Sequence, residues 1–113
     1  MTPQQFQEQP QLRTLLQKLK QQLEQHYQDK LERVILFGSQ ARLEANSDSD
    51  IDIAVILKGA ISPVQEIKNN NLWLSEFCLE TNALINCLYL STEQYQTKET
   101  PLIRNIKAEG ILV

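Results

Sequence analysis

Two aspartates open a run that otherwise reads as the inside of a β-sheet. Asp50 and Asp52 begin the segment DIDIAVIL, whose aliphatic and β-branched residues predict a strand over Ile51–Leu57. Side chains alternate across a strand, so the two carboxylates share one face while Ile51 and Ile53 take the other. Two carboxylates about 4 Å apart repel by roughly 4 kcal/mol at an effective dielectric of 20. Packing gives no return for that repulsion, whereas a divalent cation turns it into coordination, and hard Mg²⁺ favours carboxylate and phosphate oxygens. Upstream, the apolar run RVILF predicts a strand over residues 33–37 that leads directly into Gly38-Ser39. A glycine there lets a ligand approach the backbone closely, and the serine adds a hydroxyl and exposed N–H groups suited to phosphate. The two halves together describe a metal–nucleotide site.

The rest of the chain supplies a frame for such a site. Leu12, Leu15, Leu16, Leu19, Leu23 and Tyr27 recur at three- and four-residue steps, predicting an amphipathic helix over residues 12–30. Residues 1–10, with two prolines, read as a loose arm. Ser39 is placed to cap one helical turn over residues 40–45, which would turn a positive helix end towards an anion above Gly38. Asn46, Ser47 and Asp48 read as turn residues. Ser62-Pro63 with Gln65 predicts a capped helix reaching about Glu80, although the NNN at 69–71 argues weakly against it. A third strand is expected over residues 83–90, a short helix after the capping box of Ser91 and Gln94, and a last one from Thr100-Pro101 to Gly110. ILV closes the sequence as a bare apolar tail. The order of elements describes an α/β (α+β) fold, a small mixed β-sheet flanked by helices, in a single domain over residues 1–113.

Composition narrows the partners. The 113 residues carry a net charge of −3 and a pI near 5.1, which provides no basic field for a nucleic-acid backbone. No apolar run approaches the ~18 residues of a membrane span, and the N-terminus has no signal-like core, so a cytoplasmic protein is expected. Cys78 and Cys87 lack metal-ligand spacing and read as buried free thiols. His26, the one histidine, falls on or beside the apolar face of the first helix. Trp73 and Phe77, four residues apart, share a face of the second.

The segment GSQARLEANSDSDIDIAVIL, residues 38–57, resembles the signature of the DNA polymerase β-like nucleotidyltransferase superfamily in its minimal, stand-alone form. That signature is Gly-Ser, ten intervening residues, and Asp-x-Asp in a strand; the intervening ten here are residues 40–49. The resemblance implies the polymerase β-like nucleotidyltransferase palm. It implies that Gly38 and Ser39 bind the β- and γ-phosphates of ATP, and that Asp50 and Asp52 ligate Mg²⁺ as a two-ion centre. Arg42, about one helical turn past Ser39, could reach a phosphate or form a surface ion pair. Many proteins of this kind act as antitoxins of type VII-like toxin–antitoxin pairs. The resemblance therefore also implies a HEPN-domain toxin as partner, neutralised by transfer of AMP to a tyrosine, and leaves a homo-oligomer open. Two positions depart from the pattern. The family commonly has Gly where this chain has Leu43. The superfamily also draws a third carboxylate from the strand after the central helix, and NALINCLYL contains no acid. Asn86 stands in mid-strand in that place; Glu80 shares its parity if the strand extends backwards. An alternative reading follows, in which the chain binds nucleotide or partner and neutralises the toxin by occlusion.

Overall fold

A computed structural model describes residues 1–44 and 49–113. The predicted turn at Asn46, Ser47 and Asp48, and the end of the predicted helical turn at Ala45, lie outside the described residues. The helices are α1 (Pro3–Gln7), α2 (Pro10–Tyr27), α3 (Pro63–Thr81), α4 (Thr92–Thr97) and α5 (Pro101–Glu109). The strands are β1 (Leu31–Phe37), β2 (Ile51–Leu57), β3 (Ile85–Ser91) and β4 (Ile111–Leu112), in the sheet order β3-β2-β1-β4. β1 pairs antiparallel with β2 and with β4, while β2 and β3 run parallel across the α3 crossover, so the sheet is mixed.

Alternation along the central strands feeds two cores of unequal size. Val34, Leu36, Ile51, Ile53, Val55 and Leu57 pack with Leu16, Leu19 and Leu23 of α2 and Phe77 of α3. On the opposite face, Ile35, Ala54 and Ile56 pack with Ile106 of α5, flanked by Phe37, Leu88, Leu90 and Tyr95. Near-continuous burial of β2 from Ile53 to Leu57 follows from its central place in a sheet covered on both sides. No described helix is long and apolar enough to cross a membrane.

Three expectations are corrected. The loose arm is α1: Thr2 and Gln5 form a capping box, Pro3 occupies the first turn, and Phe6 is 4% exposed in the larger core. The apolar tail is β4; Ile111 pairs with Leu36, Leu112 with Ile35, and the Val113 N–H donates to the Val34 carbonyl at 2.9 Å. The β1 edge satisfies that backbone, and nothing local in ILV reports the edge. The capping box at Ser62 does not form, because Gln65 donates to Asn69 at 2.8 Å instead. The box at Ser91 and Gln94 does form, as does the Thr100 cap on Ile103.

The asparagine run sits inside α3 because one of its members is buried with partners. Asn70 Nδ2 donates to the Tyr27 hydroxyl at 2.6 Å and to the Glu66 carbonyl at 2.8 Å, and Asn70 Oδ1 accepts from Trp73 Nε1 at 2.8 Å. Tyr27 donates in turn to the Glu66 carboxylate at 2.8 Å. Each polar group in this knot has a partner, which removes the cost of burying it and ties the end of α2 to α3. Burial, then the bond to the Glu66 carboxylate, hold the Tyr27 hydroxyl well above its usual range, against the lowering effect of the Asn70 amide. His26 is exposed but stacks on Trp73 with centroids 4.9 Å apart. The two thiols are free and half-buried, and burial pushes Cys87 up to about 12.

Replacing Phe6 by Ala tests the place of α1 in the core. A buried phenylalanine truncated to alanine costs about 3 kcal/mol, whereas a residue on a loose arm costs close to nothing. The shift in the urea midpoint at unchanged slope distinguishes the two.

Candidate active site

β1 and β2 bring the two halves of the motif together by their register. Phe37, the last residue of β1, pairs with Asp52, so Gly38 follows immediately beside the Asp52 side chain. Gly38 has φ +76°, and a Cβ built on it would lie 2.4 Å from Asp52 Oδ2. Glycine is required twice over, by its left-handed backbone and by the carboxylate against its Cα. Asp52 shares the face of Ala54 and Ile56, the side of the smaller core, near the start of β2. It is half-buried, as is Asp50, which stands one residue ahead of the strand.

Past Gly38 the chain turns back on itself without becoming a helix. The N–H groups of Arg42, Leu43 and Glu44 donate to the carbonyls of Gly38, Gln40 and Ser39 at 3.1, 3.3 and 3.0 Å. The N–H groups of Ser39, Gln40 and Ala41 have no backbone acceptor among the described residues. Leu43 has φ +61° and is half-exposed, a left-handed backbone for a branched aliphatic side chain. This is the position at which the resemblance noted above implies glycine.

Asn86 joins the aspartates. In the parallel register it is the neighbour of Asp52, on the same face, and its Nδ2 donates to Asp50 Oδ2 at 3.0 Å. Among the described residues no lysine, arginine or histidine forms an ion pair with Asp50 or Asp52. Two hard carboxylates on one half-buried face, with no cationic side chain paired to them among the described residues, fit a divalent ion such as Mg²⁺.

Two further residues are not brought to this cluster. Arg42 directs Nε to Glu44 at 3.1 Å and Nη1 to Glu109 of α5 at 3.0 Å, and these bonds raise its pKa further. It forms the surface ion pairs rather than extending to a phosphate position. Glu80 belongs to α3, not to a backward extension of β3. The helix continues to Thr81, and Asn82 at φ +54° reverses the chain before the strand begins. Glu80 lines a surface hollow with Pro10, Gln11, Thr14 and Lys18 of α2, on the sheet's other face.

Residues 17–113 match the family described as Polymerase beta, Nucleotidyltransferase. The chain belongs to this nucleotidyltransferase family. A candidate protein adenylyltransferase of Methanocaldococcus jannaschii is 39% identical over 44 residues, which are 39% of this chain and 44% of that protein. The chain therefore spans less than half the length of that relative. Among solved structures, a candidate nucleotidyltransferase from Sulfolobus solfataricus superposes with TM-score 0.62 at 21% identity, over 90% of this chain and 80% of its own. A toxin–antitoxin structure with AMP-PNP superposes with TM-score 0.57 at 19% identity, over 80% of this chain and 66% of that one. At these identities the structures establish a shared fold, the mixed α/β sheet of polymerase β-like nucleotidyltransferases.

Glycine substitutions separate backbone strain from the contact at the carboxylate. Gly38→Ala and Gly59→Ala both place alanine at positive φ, but Gly59 faces open space. Gly59→Ala should lose about 1 kcal/mol of stability through the backbone alone, and Gly38→Ala should lose more, because its Cβ also displaces the Asp52 carboxylate. Thermal melts of the two variants read the difference. In the opposite direction, Leu43→Gly should raise stability by about 1 kcal/mol by relieving the left-handed leucine, measured as an upward shift in the urea midpoint.

Proposed function

We propose that this chain is a Mg²⁺-dependent nucleotidyltransferase that moves AMP from ATP onto a hydroxyl of a partner protein. The partner is a toxin of the HEPN class, the acceptor is a tyrosine, and the chain acts as the antitoxin. The carrying observation is the placement of Asp50 and Asp52 around Asn86 on one half-buried face, with Gly38 packed against Asp52 and followed by N–H groups that have no backbone acceptor among the described residues. The M. jannaschii relative and the toxin–antitoxin neighbour support the acceptor class and partner, and the acidic charge favours a protein over an RNA acceptor.

Asp50 and Asp52 would hold the metal, and Gly38 with the N–H groups of Ser39, Gln40 and Ala41 would receive the phosphates. Mg²⁺, when bound, supplies charge neutralisation at the reacting phosphates. The acceptor oxygen bonds to the α-phosphorus, the bond from that phosphorus to the β-phosphate's bridging oxygen breaks, and pyrophosphate leaves. The hydroxyl proton passes to water. The residues of this chain position rather than react, which is how phosphoryl- and nucleotidyl-transfer sites obtain most of their rate.

A second reading is favoured by Asn86: a neutral amide beside the aspartates is a poor general base, so the chain could bind nucleotide and partner without transfer. Incubation with α-labelled ATP, Mg²⁺ and the partner decides between them; label on the partner supports transfer, and bound nucleotide without label supports the binding module. In the same assay, Asp50→Asn combined with Asp52→Asn should abolish Mg-dependent nucleotide binding. The double variant should be as stable as the parent or about 1 kcal/mol more so, because the like-charge repulsion is gone. Unchanged affinity would refute the metal assignment.

A further inference from the structure

The third-acid position carries a donor, and its orientation is set by chemistry. Asn86 Nδ2 lies 3.0 Å from Asp50 Oδ2. Turning the amide over would set its oxygen against a carboxylate oxygen, two acceptors facing one another, so the donor orientation is the stable one. A donor bonded to one oxygen of Asp50 leaves the other oxygen available and restricts the carboxylate's rotation. Asn86 is exposed and adds nothing to either hydrophobic core, so this bond is its structural contribution. The charge at the site is then that of two carboxylates, and one divalent cation balances it. A second divalent ion in the free protein would enter an electrostatically neutral site, whereas an aspartate at position 86 would supply the charge to attract it.

We infer that Asn86 is a positioning residue that holds Asp50 for a single divalent cation, so that the nucleotide-free site carries one ion and not two. This rests on the metal assignment proposed above and deepens it. The test counts Mn²⁺ bound to the full chain at neutral pH without nucleotide, from the loss of the free-ion signal in electron paramagnetic resonance. Thermal melts verify that each variant is folded. Wild type should hold one Mn²⁺ per chain. Asn86→Asp, of equal size, should hold two. Asn86→Ala should keep one site, weakened about tenfold because Asp50 loses its anchor. Two ions on the wild type, one on Asn86→Asp, undiminished affinity in Asn86→Ala, or no ion on the wild type would each overturn the inference. Asp50→Asn with Asp52→Asn reports on the metal assignment separately: Mn²⁺ retained there would place the ion elsewhere, whatever Asn86 does.

Discussion

The pairing of Phe37 with Asp52 carries the rest of the site, because it sets Gly38 against the Asp52 carboxylate. A shift of β1 by one residue along β2 would reverse every side chain of one strand relative to the other and separate the two halves of the motif. That register is held by burial on both faces of β2. Ile53 and Val55 need the α2–α3 side and Ala54 and Ile56 need the α5 side, so no slipped pairing satisfies both. The candidate site is therefore built on the centre of the sheet, with Asp50 and Asp52 half-buried at the start of β2.

The two cores are unequal because the helices over them differ in length. α2 and α3 are long helices that pack on one face, with the Tyr27–Glu66–Asn70 knot fastening one to the other. α4 and α5 are short and cover part of the other face, against Ile35, Ala54 and Ile56. Asp52 follows the parity of Ala54 and Ile56, and Asn86 is its neighbour in the parallel register of β3. β4 depends on the same short helix: Gly110 ends α5 in extended backbone, and a Cβ there would lie 2.3 Å from the Ile106 carbonyl and 2.5 Å from Ile35 Cγ2. Glycine is needed at that point for close approach, and it lets the chain turn directly onto the β1 edge.

The loop after Gly38 combines tight internal bonding with a leucine in left-handed backbone. Its Arg42 is joined to Glu109, so the loop is tethered to the end of α5 rather than left to reach over the site. Exposed ion pairs of this kind contribute little to stability, but they direct where a long side chain spends its time. The balance of a strained turn and a light tether fixes the backbone after Gly38 without a helix end.

Sequence alone determined what depends on local periodicity and on residue chemistry. β2 was legible to the residue because a strand's alternation is local, and Asp50 and Asp52 were legible as a pair because their shared face follows from it. The caps at Ser91 and Thr100 were legible because capping spans three or four residues. Tertiary structure decided whatever required a partner distant in sequence. α1 needed a core for Phe6, β4 needed the β1 edge, and Asn70 needed Tyr27 on another helix, so none of these showed in its own segment. Asn86 was legible as the polar residue in mid-strand, but its bond to Asp50 was not, because it depends on the parallel register of β2 and β3. Glu80 had the right parity for a strand that does not extend to it; the helix kept it, because hydrogen bonds along α3 continue until Asn82 takes up left-handed backbone. Parity holds only within one element, and where elements end is decided by what they pack against.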